Sequence, residues 1–179
     1  MPDARIQSTD LPDEAVDAEL DAALRRLLSG CFTGPEDGVF RTQRFFREAP
    51  QHRWLVHSDG ELVAQVAGHD KTAESEDGSI RLLGIAEVCV AADCRGQGLV
   101  GRMLEAAHQW GIERKFDAAF LFGEAKYYAS AGYRPVNNPL RVTNPNGEVV
   151  EQVFANAMVR PLASGAWPDG LIDLRGPEF

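Results

Sequence analysis

Residues 88–104, Val-Cys-Val-Ala-Ala-Asp-Cys-Arg-Gly-Gln-Gly-Leu-Val-Gly-Arg-Met-Leu, constrain the fold of this chain more than any other stretch. They read as the end of a buried strand (Val88, Cys89, Val90), a short turn, a glycine-rich loop and the start of an amphipathic helix. Gly96, Gly98 and Gly101 carry no Cβ, so a ligand can approach the backbone closely there. The helix that follows presents its first free N–H groups and its positive dipole end. Such a site suits a phosphate or pyrophosphate. Arg95 and Arg102 add full positive charges beside it.

The 179 residues fit one domain with one sizeable core. A formal net charge of −9, from 27 acidic and 18 basic side chains, argues against a nucleic-acid or anionic-membrane partner, since both need basic patches. Between residues 94 and 115 the balance reverses: Arg95, Arg102, Arg114 and Lys115 stand against Glu105 and Glu113 alone. A locally basic segment in an acidic protein is what an anion site requires. Three cysteines, Cys31, Cys89 and Cys94, show no framework spacing and favour free thiols and a reducing, cytoplasmic setting. Residues 1–10 show no signal-peptide core, and no apolar run approaches the roughly 20 residues of a membrane span.

In chain order, the pattern predicts a short strand over 4–7 and a helix entry over 10–14. A helix follows over 15–31, with Val16, Leu20, Leu24, Leu27 and Leu28 on one face and Gly30 as a stop. After a loop, residues 39–47 read as a second helix carrying Phe40, Phe45 and Phe46. Strands over 53–58 and 61–68 are joined by Asp59-Gly60, a strong hairpin signal. Residues 70–78 read as an exposed loop and 80–91 as the longest strand. The helix from Leu99 is expected to end at Gly111. A strand over 118–122, a brief helix over 127–131 closed by Gly132, an extended stretch over 133–136, a turn over 144–147 and a strand over 149–159 follow. In the tail, Leu171, Ile172 and Leu174 must pack either on the domain or on a partner.

Gly96-x-Gly98-x-x-Gly101 matches the dinucleotide fingerprint literally, but residues 91–95 intervene after the strand, and too little α/β alternation surrounds it. A nucleotide P-loop fails because no Lys-Ser or Lys-Thr follows. The order helix, hairpin, long strand, glycine loop, helix, strand, short helix, strand resembles the GNAT superfamily of N-acetyltransferases, which bind acetyl-coenzyme A. Arg95-Gly96-Gln97-Gly98-Leu99-Val100 looks like the family's Arg/Gln-x-x-Gly-x-Gly/Ala loop, with Val100 where Gly or Ala is usual. Tyr127-Tyr128-Ala129-Ser130-Ala131-Gly132-Tyr133 looks like its Tyr-x-x-x-Gly-Phe/Tyr motif. Within the superfamily the segment looks closest to the nodulation-type N-acyltransferase branch. The resemblance implies a single α+β domain with a mixed central sheet of about six to seven strands and helices on both faces. Residues 1–160 would hold the domain and 161–179 a C-terminal tail.

The activity implied is transfer of an acetyl group from acetyl-coenzyme A to an amine of a small-molecule acceptor. Two alternatives stand beside it: a longer-chain acyl donor, and a coenzyme-A-binding module without turnover. A homodimer is left open. Backbone N–H groups of Val88, Cys89 and Val90 would serve the thioester carbonyl and pantetheine arm. Glu87, eight residues before Arg95 and flanked on its face by Ile85 and Cys89, is the candidate base, with a structural pairing to Arg81 or another basic group as its alternative. Tyr128 is the candidate acid for the departing thiolate by motif position, with an aromatic packing role as its alternative. Tyr127 reads as packing and His108 as surface, while His57 and His69 could face an acceptor. Cys89 and Cys94 read as small side chains rather than nucleophiles. No His-Glu-x-x-His or paired-cysteine motif points to a metal. On this reading coenzyme A and acetyl-coenzyme A raise the melting temperature and nicotinamide dinucleotides leave it unchanged. Ligand at 100 times its dissociation constant stabilises by ~2.7 kcal/mol. A thermal shift with a dinucleotide and none with coenzyme A reverses the ranking.

Overall fold

The computed structural model describes residues 5–179. It is a mixed α+β fold whose strands join in one sheet of parallel and antiparallel pairs. Among the described residues the sheet has ten strands, more than the six or seven expected, because several pairing segments are only two to four residues long. The chain divides into two compact units: residues 1–68 with 87–107, and residues 69–86 with 108–179.

In the first unit, β1 (Ile6–Pro12), β2 (His52–Ser58) and the first half of β3 (Glu61–Ser75) are antiparallel neighbours. β1 extends the expected first strand to Pro12, and a 3₁₀ turn over Asp13–Ala15 replaces the helix entry; Ala4 lies outside the described residues. Asp59 and Gly60 take φ of 49° and 89°, as the hairpin signal required. Helix α1 (Ala18–Cys31) starts where the Asp17 side chain accepts the Leu20 N–H at 2.9 Å, with Glu19 and Asp21 on its positive end. It ends at Cys31, one residue past Gly30, at the expected boundary. Its Leu24, Leu27 and Leu28 are buried against Phe40, Leu55 and Cys89. The second helix expected over 39–47 is absent: a 3₁₀ turn over Asp37–Arg41 gives way to bends over 44–48. Those bends let Phe46 pack on the cluster while its amide turns towards Glu87.

In the second unit, the last residues of β3 and most of β4 (Gly78–Val90) form a hairpin where a loop was expected over 70–78. The charged residues there misled the reading because this end of β3 buries only Ala73, while Asp70 and Thr72 remain exposed. Strand β3, at 15 residues, is therefore longer than β4, at 13. Beside β4 runs parallel β5 (Ala118–Phe122), with Leu82 opposite Ala118. Beyond it come β9 (Ala157–Pro161) and β6 (Arg134–Pro135). The strand expected over 149–159 is broken in two, β8 (Val149–Gln152) pairing with β7 (Leu140–Thr143) and β9 with β5. Ile172 and Leu174 of the tail are buried in this unit's cluster, and β10 (Ile172–Asp173) is hydrogen-bonded to β3 and β7.

Helix α2 (Leu99–Glu113) passes from the first unit into the second and does not stop at Gly111. A Cβ at Gly111 would lie 2.8 Å from Leu162 and 3.1 Å from Leu83, so the glycine is there for close packing. The stop comes later. Lys115 takes φ of 60°, its N–H bonds the Ile112 carbonyl, and the Phe116 N–H reaches back to Gly111. That is a Schellman closure without a glycine.

A Cβ on Gly84 would lie 2.6 Å from the ring of Phe179, the last residue, which packs edge-on against Phe120 and Phe122. Gly84→Ala should therefore displace that ring and cost about 1–3 kcal/mol in denaturant unfolding. In a Phe179→Ala background the same change should be close to neutral. Equal costs in both backgrounds would show that Phe179 is not what the methyl meets.

Candidate active site

The candidate site in the first unit is built around an irregularity in β4. Glu87 has φ of 51°, a left-handed conformation rare for a side chain of this size in a strand. Its carbonyl accepts the Gln65 Nε2 at 2.5 Å, so a side chain satisfies the backbone where the strand is distorted. Its own carboxylate is turned inward, with the side chain only 6% exposed. Oε1 accepts the Phe46 N–H at 2.8 Å. Oε2 has no hydrogen-bond partner and lies 3.6 Å from Nη1 of Arg53.

Arg53 is fully buried. Its Nε donates to Asp13 at 2.5 Å, Nη1 to Gln65 Oε1 at 2.8 Å and Nη2 to the Arg44 carbonyl at 2.8 Å. Asp13 also takes both Nε and Nη2 of Arg44. Burial alone would raise the Asp13 pKa, but the hydrogen bonds and charges of the two arginines outweigh it and hold the carboxyl below its ordinary value. Glu87 goes the other way. Burial pushes its pKa up to about 7, against the pull of Arg53 and the Phe46 amide. The structural pairing expected as the alternative role of Glu87, with Arg81 or another basic group, is made with Arg53 at 3.6 Å and not with Arg81. Arg81 lies in the second unit, bound to Asp70 at 2.6 Å and to the Arg114 carbonyl.

Downstream of Glu87, Val88 and Val90 are half-buried and Cys89 is buried. Ala91 N–H bonds the Val63 carbonyl at 2.8 Å, and a 3₁₀ turn over Ala92–Cys94 leads into the loop. Arg95 folds back so that Nε donates to the Val90 carbonyl at 3.2 Å. Gly96 and Gly98 take φ of 76° and 72°, and a Cβ built at either, or at Gly101, meets nothing within 4 Å. The loop therefore needs glycine for its backbone and leaves open space beside it. Gln97 and Arg102 are exposed, whereas Leu99 is buried and anchors the helix. Arg102 N–H bonds the Gly98 carbonyl, which closes the first turn and leaves the amides of Leu99, Val100 and Gly101 without acceptors inside the helix. This loop fits an anionic ligand such as the pyrophosphate of coenzyme A.

Tyr128 belongs to the second unit, at the end of α3 (Ala125–Tyr128). It is half-buried, and a Cβ on Gly123 would lie 2.5 Å from its ring. Its ring meets Tyr133 edge-on at 6.0 Å. Gly132, at φ of 86°, closes the turn as expected. Tyr127 does not pack: it is 62% exposed beneath Lys126. His108, expected at the surface, is fully buried, and its Nε2 lies 2.8 Å from the Tyr133 hydroxyl. Arg160 contacts Nδ1 and can only donate, so Nδ1 accepts and Nε2 carries the proton. Burial and the Arg160 charge lower the His108 pKa to about 3, so this histidine is neutral at physiological pH.

The residues missed in the sequence are Asp13, Arg44, Arg53 and Gln65. A signal was present for two of them: Arg53 adjoins the apolar run 54–56 and Gln65 interrupts the apolar run 62–67, and a polar side chain there must find a buried partner. His108 lies at helical spacing with Leu104, Ala107 and Gly111, which marks the buried face. His69 is buried against Phe179, and His57 lines a cleft of about 500 Å³ with Asp10, Asp17, Arg26 and Glu61, to which Glu87 does not belong. Among the described residues no group of three His, Cys, Asp or Glu could hold a metal ion, and no helix is long and apolar enough to cross a membrane.

A strand with an internal irregularity, running through a glycine loop into a helix, belongs to the class of acyltransferases that the motifs resemble. Residues 13–136 match the model of the acetyltransferase (GNAT) domain family, and the chain belongs to that family. Among solved structures it is similar to the GNAT family N-acetyltransferase YhbS from Escherichia coli in complex with CoA, at 20% identity and a TM-score of 0.65, over 96% of this chain and 89% of that one. It is also similar to a GNAT family acetyltransferase from Brucella melitensis in complex with acetyl-CoA, at 13% identity and a TM-score of 0.64, over 94% of both chains. Against a GCN5-related N-acetyltransferase from Kribbella flavida, at 18% identity and a TM-score of 0.57, 76% of this chain spans 34% of that one. These likenesses concern the fold. Family membership supports coenzyme-A-dependent acyl transfer as the general activity.

Because the Glu87 pKa is raised in the folded state, its charge opposes folding. The folded protein holds a proton that the unfolded chain loses near the ordinary value of 4.5, so stability falls as pH rises from there to about 7. Glu87→Gln keeps an acceptor for Phe46 and removes the charge. It should leave stability unchanged near pH 4.5 and raise it by up to about 3 kcal/mol at pH 8. A Gln variant no more stable than the parent at pH 8 would show that Arg53 already compensates the carboxylate.

Proposed function

We propose that this chain transfers an acetyl group from acetyl-coenzyme A to an amine of a small-molecule acceptor. The observation that carries the reading is the buried Glu87 carboxylate, with Oε2 free of hydrogen bonds, 3.6 Å from Arg53 Nη1, and a proton affinity near neutrality, directly before the strand segment that leads into the glycine loop. A general base works best with a pKa close to the working pH.

The donor supplies an activated acyl thioester. Arg95, Gly96, Gln97, Gly98, Leu99, Val100, Gly101 and Arg102 hold its pyrophosphate, and the backbone of Val88, Cys89 and Val90 holds the pantetheine arm and the carbonyl. Glu87 takes the proton that the acceptor amine loses as it attacks, either directly or relayed by water. Tyr128 gives its hydroxyl proton to the departing thiolate. Support for the donor comes from the relatives crystallised with CoA and acetyl-CoA. A reducing, cytoplasmic setting goes with the three free cysteines, and the charge of −9 speaks against nucleic acid or an anionic membrane as a partner.

The test is turnover with acetyl-coenzyme A against a panel of amines. In the parent, kcat/KM should rise with pH through about 7 as Glu87 loses its proton, and Glu87→Gln should lose that limb together with about 10²-fold or more of the rate. Tyr128→Phe should lose about 10²-fold. Its loss should shrink for donors whose thiols are more acidic than the ~8.5 of an ordinary thiol, because they need the proton less. Turnover with long-chain acyl thioesters alone would move the assignment to a longer donor. Tight coenzyme A binding without turnover of any amine would leave a binding module.

A further inference from the structure

Gln65 has no exposed surface and lies in β3 among Val63, Ala64, Val66 and Ala67, all buried. A primary amide in such surroundings must satisfy both of its ends. Its Oε1 accepts Arg53 Nη1 at 2.8 Å, and its Nε2 donates to the Glu87 carbonyl at 2.5 Å. Sheet register brings about the first contact. Arg53 stands opposite Ala67, so Gln65, two residues earlier on the same face, is its diagonal neighbour. One side chain therefore grips both the guanidinium and the left-handed residue beside it.

The carboxylate of Glu87 is paired with that guanidinium only loosely. Nη1 lies 3.6 Å from Oε2, longer than a hydrogen bond, and Oε2 accepts none. Charge-assisted bonds between such groups run at about 2.7–2.9 Å, so an approach of roughly 0.8 Å would close the pair. What opposes it is the set of acceptors already on Arg53: Asp13 on Nε, the Arg44 carbonyl on Nη2 and Gln65 on Nη1. Of these three, Gln65 is the one that binds the nitrogen 3.6 Å from Oε2, and the one that also binds the Glu87 backbone.

We propose that Gln65 is a positioning residue for Glu87: by holding Arg53 Nη1 and the Glu87 carbonyl together, it keeps the guanidinium off Oε2 and leaves that oxygen open to a proton. Its bearing on turnover rests on the reading of Glu87 as the base. The other groups around Glu87 are already committed. Asp13, in the turn before α1, is bound to Arg53 and Arg44, and Asp21 of α1 is bound to Arg44. Phe46, in the bends, gives its amide to Oε1, and Cys89, on the same strand, is buried in the apolar cluster. Without Gln65, Nη1 loses its acceptor, and Oε2 is the neighbouring oxygen that has no hydrogen bond. The pair then closes, favours the carboxylate and lowers the proton affinity that burial holds up at about 7.

Gln65→Leu removes both bonds at similar volume, and Gln65→Met, unbranched and adaptable, does so with less demand on the packing. The full chain, labelled at its glutamate carboxyls, is titrated by NMR between about pH 4 and 9, and the signal lost in Glu87→Gln belongs to Glu87. The parent should titrate near 7, and both variants at least about one unit lower. The rising limb of kcat/KM against pH should move down by the same amount. A midpoint that stays near 7 in a folded variant, with only the melting temperature lowered, overturns the proposal and leaves Gln65 a structural residue. A parent midpoint near the ordinary 4.5 overturns it as well, because Arg53 then already holds the carboxylate ionised. A midpoint that falls in the variants while the kcat/KM limb stays in place supports the hold on Arg53 and removes Glu87 as the base.

Discussion

A buried guanidinium organises the first unit. Arg53 has no exposed surface, and a cation so placed must be matched by acceptors on every side. Asp13, Gln65 and the Arg44 carbonyl take its donors at hydrogen-bond distance. Removing one partner of such a buried pair costs about 3–5 kcal/mol, so these residues are held together by the penalty for separating them. Arg44 ties the same Asp13 to Asp21 of α1, so the network links the chain entering α1, the bends after residue 43 and strand β2. The failed helix over 39–47 follows from this. Arg44 must face Asp13 while its own carbonyl faces Arg53, and Phe46 must turn its amide to Glu87.

The same network sets the protonation of Glu87. Asp13 already neutralises Arg53 at contact distance, and Glu87 stands off at 3.6 Å. A direct, well-aligned ion pair would hold the carboxylate ionised and make it a poor proton acceptor. Leaving Oε2 without a hydrogen bond lets burial prevail, and the affinity rises to about 7. The left-handed backbone at Glu87, which costs on the order of 1–2 kcal/mol, turns the side chain inward. Gln65 bridges both parts, taking a donor of Arg53 on its oxygen and giving its nitrogen to the Glu87 carbonyl. Backbone strain and charge are thus stabilised by one set of residues.

What the sequence made legible were features with local causes. Asp59-Gly60, the glycines of the loop, the leucine stripe of α1 and Gly132 each depend on conformational limits of single residues or on a simple period. They stand where expected. What it hid depends on distant partners. The charged stretch after residue 69 is a strand because it pairs with β4 on one side, and β10, a hundred residues later, meets it at Glu74 on the other. Gly111 resembles a helix stop, yet α2 runs on to Glu113, and Gly111 is needed for close contact with Leu83 and Leu162. His108 was placed at the surface because histidine is usually polar, although its partners Tyr133 and Arg160 make it a satisfied buried group. Glu87 was legible as an acid on an apolar face, but its partner was not. Arg81 is nearer in sequence, while Arg53 lies across the sheet in β2.

The segment between Glu87 and Arg95 is polarised along its length. Its first residue is a carboxylate with a proton affinity near neutrality, and its last is a guanidinium folded back on the Val90 carbonyl. In the proposed reaction this polarity suits a donor whose anionic phosphates lie at the Arg95 end and an amine that loses a proton at the Glu87 end. In a chain of net charge −9 such a gradient cannot come from overall composition. It comes from burying one carboxylate beside an already neutralised arginine and placing an exposed arginine at the mouth of a helix. The basicity of Glu87 is a consequence of that arrangement of charge.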